Sequence, residues 1–270
     1  MKKQILIFSV LFVAFLLLFC ANKTEEISPV FTRSGTEKPE VTLISVFDNN
    51  SVNSELKTSW GFASIIKTPA ENILFDTGGD ADILLFNMKK MNIDPKSIDK
   101  VFISHEHGDH IDGLAGFLEK NNKVTVYIPA SFSGSVKNMI RARGVEYKEI
   151  TEAAKITGFM YSTGELPGPP TEQSLIIDSK KGIIVMTGCA HPGIVKIVEK
   201  AKKMTQSKDV YLVVGGFHRP PLSVAKEFRE LGVKKATPTH CTGDDVRQAF
   251  AEEYKEDFVE YGVGKIVEIK

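Results

Sequence analysis

The chain lacks a net charge. Lys and Arg together number 34, and so do Asp and Glu, in 270 residues. A nucleic-acid partner usually needs a basic face or stripe, so the overall balance offers no electrostatic case for one and leaves only a local patch. Cysteine is scarce, with three residues. Setting aside Cys20, Cys189 and Cys241 remain, which is no disulfide framework. Repeats and low-complexity blocks are absent. The one long apolar run, from Ile5 to Phe19 and broken only by Ser9, is shorter than the roughly 20 residues of a comfortable membrane span. The remainder is ordinary for a soluble globular protein, with 25% charged and 42% hydrophobic residues. Its length suits one large domain or two small ones.

The apolar run follows Lys2 and Lys3 and ends at Cys20, and a polar stretch from Asn22 to Glu26 comes next. A charged segment, an apolar segment and a cysteine at its end resemble a bacterial lipoprotein signal, although Phe19 stands where a small residue is usual. On this reading residues 1–20 are a signal and lipoprotein segment, and Cys20 becomes the lipidated first residue. The alternative is an uncleaved N-terminal anchor helix. Residues 21–40, with Pro29, Gly35 and Pro39, read as a flexible tether, and 41–270 as the folded domain. The expected location is the cell envelope, with the membrane as partner through an N-terminal lipid. Oligomeric state is left open.

From residue 41 the pattern is strand-like over 41–47, 60–67 and 72–75, with loop signals at Asn49-Asn50 and Pro69. Ile83, Leu84, Leu85, Met88 and Met91 then follow helical spacing. Further strands are expected over 101–103, 124–128, 156–162, 174–177, 183–187, 210–214 and 264–269. Helices are expected over 112–120, 135–143, 193–203, 223–231 and 244–253. Strand-rich openings and strand-helix alternation in both halves predict an α/β fold of sheets covered outside by helices, with loops from both halves sharing one edge.

The densest chemical signal is Ser104-His105-Glu106-His107-Gly108-Asp109-His110, directly after the strand at 101–103. Three imidazoles and a carboxylate so close together suit divalent metal of zinc type. His105 and His107 point the same way in extended chain. Gly108 lets the backbone turn, so that Asp109 and His110 face a second position; two-metal hydrolases hold their ions about 3.5–4 Å apart. His191, His218 and His240, the other histidines, all follow strand-like runs. Thr187-Gly188-Cys189-Ala190-His191 ends one strand, so Cys189 and His191 are candidate ligands. The Cys189 thiol reads equally well as a small buried residue. His240 is a candidate ligand at the end of a short strand. Gly215-Gly216 allow close backbone approach before His218 and Arg219, which can meet an anionic substrate. Thr242 reads as an N-cap, or as part of an anion site at the helix start. Asp76, in Phe75-Asp76-Thr77-Gly78, reads as a turn residue or as a carboxylate that orients a ligand from behind.

His105-Glu106-His107-Gly108-Asp109-His110, together with the upstream Phe75-Asp76-Thr77-Gly78, resembles the signature of the metallo-β-lactamase superfamily. The resemblance implies an αββα sandwich with one or two metal ions at a sheet edge, zinc first and manganese or iron next, bound by His105, His107, Asp109 and His110. Three later stretches are similar to the branch named for dihydropterin-aminobenzene-phosphate synthases: residues 187–194, residues 213–218 and residues 238–243. That likeness runs from about residue 41 to the C-terminus. Two departures touch substrate-facing or ligand positions. Trp60 stands where the branch usually has a histidine, and residues 162–174 carry no histidine where many members do. His191 is then the natural replacement ligand, and Cys189 occupies the place of a commonly metal-bridging aspartate.

The main expectation from these residues is a metal-dependent hydrolase acting on a small molecule, phosphorylated or pterin-like. Its ions would lower the pKa of a bound water towards about 7, Asp109 would receive or orient a proton, and His218 would act as acid on the leaving group. Trp60, Arg219 and Thr242 would face the substrate. The alternative is a synthase-like transferase, against which export argues, because a pterin diphosphate would be a cytosolic intermediate. A second alternative is a metal-binding envelope lipoprotein without catalysis.

Overall fold

A computed structural model describes residues 38–270. The segment 1–20, Cys20 and most of the tether lie outside the described residues. Residues 38–40 lie against the domain, with Lys38 paired to Asp178 at 2.6 Å and Glu40 to Lys180 at 3.6 Å.

Six strands come from the first half: β1 (Val41–Asp48), β2 (Phe62–Lys67), β3 (Asn72–Phe75), β4 (Lys100–Phe102), β5 (Thr125–Pro129) and β6 (Glu146–Ile150). Seven follow: β7 (Ala154–Thr157), β8 (Met160–Ser162), β9 (Leu175–Ser179), β10 (Gly182–Thr187), β11 (Val210–Gly216), β12 (Val233–Thr239) and β13 (Ile266–Ile269). The helices are α1 (Ala81–Lys90), α2 (Gly108–Ile111), α3 (Leu114–Lys120), α4 (Gly134–Ala142), α5 (Ile194–Thr205), α6 (Val224–Glu230) and α7 (Asp244–Tyr254). One sheet runs β13-β1-β2-β3-β4-β5-β6 and the other β12-β11-β10-β9-β8-β7.

Alternation along the strands builds three apolar layers. In β11, Leu212 and Val214 enter the core between the sheets, where they join Phe62, Phe75, Phe102, Ile184 and Met186. Val213, between them in sequence, faces the opposite side with Ile197, Phe228 and Phe250 from α5, α6 and α7. The first sheet does the same, with Leu74 and Val101 packed under Leu84, Met88 and Phe117 from α1 and α3. Each such side chain contributes roughly 1.5–3 kcal/mol on burial, which is why the strands read as near-continuous apolar runs. The result is the expected α/β sandwich of αββα type.

Strand direction sets the position of the site. β3, β4 and β5 are parallel, and so are β10, β11 and β12. The loops after their C-terminal ends therefore emerge along one edge, where open α/β sheets place their ligands. β1 and β3 are both antiparallel to β2, so the end of β1 opens there too.

Three expectations need correction. The strand expected over 156–162 is the hairpin β7–β8, turning at Gly158-Phe159. The helix expected from residue 112 is split: α2 begins inside the histidine motif at Gly108, and α3 starts at Leu114. β6 was not expected, because Glu146, Lys148 and Glu149 of this edge strand are exposed or half-exposed and hide its period. Among the described residues no helix is long and apolar enough to cross a membrane.

Candidate metal centre

The shared edge brings the motif histidines into two groups whose donor atoms lie within 4.8 Å of one another. One is His105, His107 and His191; the other is Asp109, His110, Cys189 and His240. They come from the ends of β4, β10 and β12, so neither group exists until both sheets have packed.

Each of four imidazoles has one nitrogen engaged by the protein. His110 donates from Nδ1 to Asp76 Oδ2 at 2.8 Å, and its Nε2 lies 3.2 Å from both Cys189 Sγ and His240 Nε2. His240 donates from Nδ1 to Asn49 Oδ1 at 2.9 Å, and its Nε2 is 3.2 Å from Asp109 Oδ2. His191 donates from Nδ1 to Glu172 Oε2 at 2.9 Å. His105 bonds Ser104 Oγ through Nδ1 at 2.8 Å, and its Nε2 is buried with no hydrogen-bond partner. An orphaned buried polar atom costs about 1–3 kcal/mol. A cation that accepts the lone pair of His105 would remove that cost, and one that accepts those of His110 and His240 would relieve the crowding of their facing Nε2 atoms. Partners of this kind fix the tautomer and ring orientation of metal-binding histidines. The nitrogen, oxygen and sulfur donors fit a divalent ion of zinc type.

Glu172 was not anticipated from the sequence. Its buried carboxylate accepts from the Thr187 hydroxyl and from the backbone N–H groups of Gly188, Cys189, Ala190 and His191, all within 3.1 Å. It thus fastens the whole turn that carries Cys189 and His191. No local signal marks it, because Thr171-Glu172-Gln173 reads as an ordinary polar loop. Asn49 was read only as a turn residue, and Ser104 only as the residue before the first histidine. Gly188 has a steric reason: a Cβ there would stand 2.1 Å from Ser104 Oγ.

Backbone strain collects at this edge. Among the described residues eight non-glycine positions have positive φ, Asp76, Ala190, His218, Arg219 and His240 among them. Such conformations cost of order 1–3 kcal/mol each and persist where the surroundings over-determine them.

Protonation follows from burial and neighbours. Burial, then the charge of His240, lowers His110 to about 3. Burial likewise holds His105 well below its ordinary value. Burial alone would raise Asp109, but the His240 hydrogen bond and the charges of His110 and His240 prevail and keep it below the usual carboxylate range. The same contest leaves Glu172 low, through its bond from His191, the charge of His105 and the backbone donors. Asp76 is pushed up by burial in spite of its bonds from Ser104. The hydrogen bond with Cys241, then burial, pushes the Cys189 thiol far up.

The remaining candidates lie around this centre. His218 is exposed, its ring centroid 4.5 Å from that of His191. Trp60 is 58% exposed, with its ring 4.8 Å from the His240 ring. Arg219 is exposed beside Gly243, where α7 begins. Thr242 differs from expectation. It is buried, it accepts from the Phe217 N–H at 3.0 Å and it donates to the Thr239 carbonyl at 2.6 Å. The residue before α7 is Gly243, so Thr242 is no N-cap, and its hydroxyl ties the loops after β11 and β12 together.

Residues 61–240 match the family model of the metallo-beta-lactamase superfamily. The chain belongs to the metallo-beta-lactamase superfamily. Among similar members is the 7,8-dihydropterin-6-methyl-4-(beta-D-ribofuranosyl)-aminobenzene-5'-phosphate synthase of Methanocaldococcus jannaschii, 31% identical over 82% of this chain and 93% of that protein. Tm1679, a metal-dependent hydrolase of the beta-lactamase superfamily, superposes with a TM-score of 0.71 at 25% identity, over 85% of this chain and 99% of its own. The short form of human tRNase Z shares the fold, with a TM-score of 0.60 at 15% identity, over 85% and 99%.

Proposed function

We propose that this superfamily member is a divalent-metal-dependent synthase of transferase type. It joins an aromatic amine to the activated 6-methyl carbon of a pterin-like ring. The observation that carries the reading is the 31% identity to the archaeal synthase over 82% of this chain and 93% of that protein. The sequence argument against a synthase rested on a leader segment outside the described residues.

His105, His107 and His191 would hold one ion, and Asp109, His110 and His240 another, with Cys189 beside the second. When bound, such ions would neutralise the negative charge that develops on the diphosphate as the bond from its oxygen to the 6-methyl carbon breaks. The chain's own residues do the rest. Trp60 offers an exposed indole on which a flat heteroaromatic ring can stack. Arg219 supplies a fixed cation for a phosphate. His218 is lowered by burial and by His191, so it is neutral at pH 7. That suits it to take the proton lost by the amine nitrogen as the C–N bond forms, a base rather than the acid expected from sequence. Asp109, held as a carboxylate, would offer an oxygen to the ion, while Asn49 keeps His240 oriented.

A hydrolase is the second reading, favoured by the superposition on Tm1679 at 25% identity. One experiment separates them. Purified protein is supplied with a 7,8-dihydropterin carrying a 6-methyl diphosphate, with and without a 4-substituted aniline, and products are followed by mass spectrometry. The synthase reading expects the condensed product and no turnover without the amine. Release of the 6-hydroxymethyl pterin at the same rate in both reactions replaces it with the hydrolase.

A further inference from the structure

Cys241 takes no part in the reading above. Its Sγ, the Cys189 Sγ and a ring nitrogen of His218 lie within 4.8 Å of one another. The three residues follow β10, β11 and β12, adjacent parallel strands whose ends are fixed by the sheet. We propose that Cys189 and Cys241, with His218 completing the set when no substrate occupies the edge, form a separate thiolate-rich site for a soft metal ion, adjoining the histidine groups and sharing Cys189 with one of them.

The donor chemistry sets this place apart. The other two groups offer imidazole and carboxylate with at most one sulfur, whereas this one offers two sulfurs. Thiolates select zinc, copper(I) and similar soft ions over magnesium or manganese. Zinc bonds of about 2.3 Å to sulfur and 2.0–2.1 Å to nitrogen put tetrahedral donors roughly 3.5–3.8 Å apart. A fourth position is open to solvent on the side of His218, which is exposed.

Two further features favour a built site. Gly216 makes room for the Cys241 thiol, since a Cβ there would stand 2.6 Å from Cys241 Sγ and 2.6 Å from the Gly188 carbonyl. His218 brings its ring to the group from a left-handed backbone, φ 53°. Cys241 Sγ makes a long contact, 3.7 Å, to the Cys189 carbonyl and lies against the Cys189 thiol.

The test uses cadmium and needs no substrate, so its outcome is independent of the synthase reading. Full-length protein, reduced and stripped with chelator, is titrated with Cd²⁺ while the ultraviolet thiolate-to-cadmium charge-transfer absorption and the bound equivalents are recorded. Cys20 is common to every variant and cancels in the differences. Cys241→Ser is expected to bind one equivalent fewer and to lose about half of the band that Cys189→Ser and Cys241→Ser together abolish. His218→Asn is expected to keep the sulfur band and to weaken that equivalent by at least the roughly 10–100-fold that loss of even an outer partner costs. Gly216→Ala, which displaces the thiol without removing it, is expected to act like Cys241→Ser. A Cys241→Ser protein with the wild-type band and stoichiometry overturns the proposal. So does reduced, metal-loaded protein that becomes two hydrogens lighter in air by closing a Cys189–Cys241 disulfide.

Discussion

Replacing Glu172 by Gln changes one atom and should disable the turn that carries Cys189 and His191. Oε1 accepts from the Thr187 hydroxyl and from three backbone N–H groups, and Oε2 accepts from the His191 N–H and its Nδ1–H. A glutamine amide has one acceptor and one NH2. With the oxygen kept on the crowded side, the NH2 meets two donors of His191. The ring can answer only by moving its proton to Nε2, which takes the lone pair away from the centre. Hydrogen bonds to a charged group are worth about 1.5–3 kcal/mol, and a stranded buried donor costs about 1–3 kcal/mol more. Breaking a buried charged arrangement in this way typically costs about 3–5 kcal/mol, a large part of a total stability of about 5–15 kcal/mol. Denaturant unfolding of metal-free protein should show that loss, and elemental analysis should show fewer bound ions in the variant. A Glu172→Gln protein within about 1 kcal/mol of wild type and fully loaded with metal would refute the reasoning.

Asn49→Leu removes the acceptor that orients His240, and metal affinity measured by competition with a chelator should fall about 10–100-fold; no change would show that His240 needs no such partner. Metal-free protein should lose stability as pH falls from 7 to 5. Buried His105 and His110 bind protons in the unfolded chain below their ordinary 6.5, while native His110 waits until about 3. Their contribution is therefore present above 6.5 and lost as pH falls through that window, at about 1.4 kcal/mol per pH unit for each proton taken up on unfolding. Raised Asp76 works with the opposite sign, and a flat profile between pH 7 and 5 would contradict the assignment of neutral buried histidines. Trp60→Ala should raise KM for a flat aromatic substrate roughly two- to tenfold, from a stacking contribution of about 0.5–1.5 kcal/mol, and leave thermal stability nearly unchanged; unaltered KM would remove the indole from the binding surface. Labelled palmitate should enter the full-length protein in a bacterial host and fail to enter Cys20→Ser, whereas equal labelling would discount Cys20 as the acceptor.

The histidine motif was legible because its chemistry is local. Three imidazoles and a carboxylate around Gly108 have few other uses, and the apolar strands before them carry their own period. His191 and His240 were legible from the ends of strands. The residues that hold these side chains in place were not. Glu172 meets the 187–191 turn only after β9 and β10 pair, and Asn49 reaches His240 across 191 residues of chain. A polar residue in a polar loop gives no warning of such a partner. Thr242 failed for the reverse reason: a threonine before a helix looks like a cap, but Gly243 takes that place and the hydroxyl is spent on backbone from two loops. The β7–β8 hairpin was merged into one strand because Gly158 alone marks its turn.

The central claim is that one edge of the sandwich holds divalent ions on the His105, His107, His191 group and the Asp109, His110, Cys189, His240 group. Anomalous diffraction at a metal edge from zinc-loaded crystals tests it directly. The account predicts peaks within bonding distance of both groups, with His105 Nε2 as a ligand. Well-ordered crystals of zinc-incubated protein that show no peak there, or a peak that leaves His105 Nε2 unbonded, would contradict it.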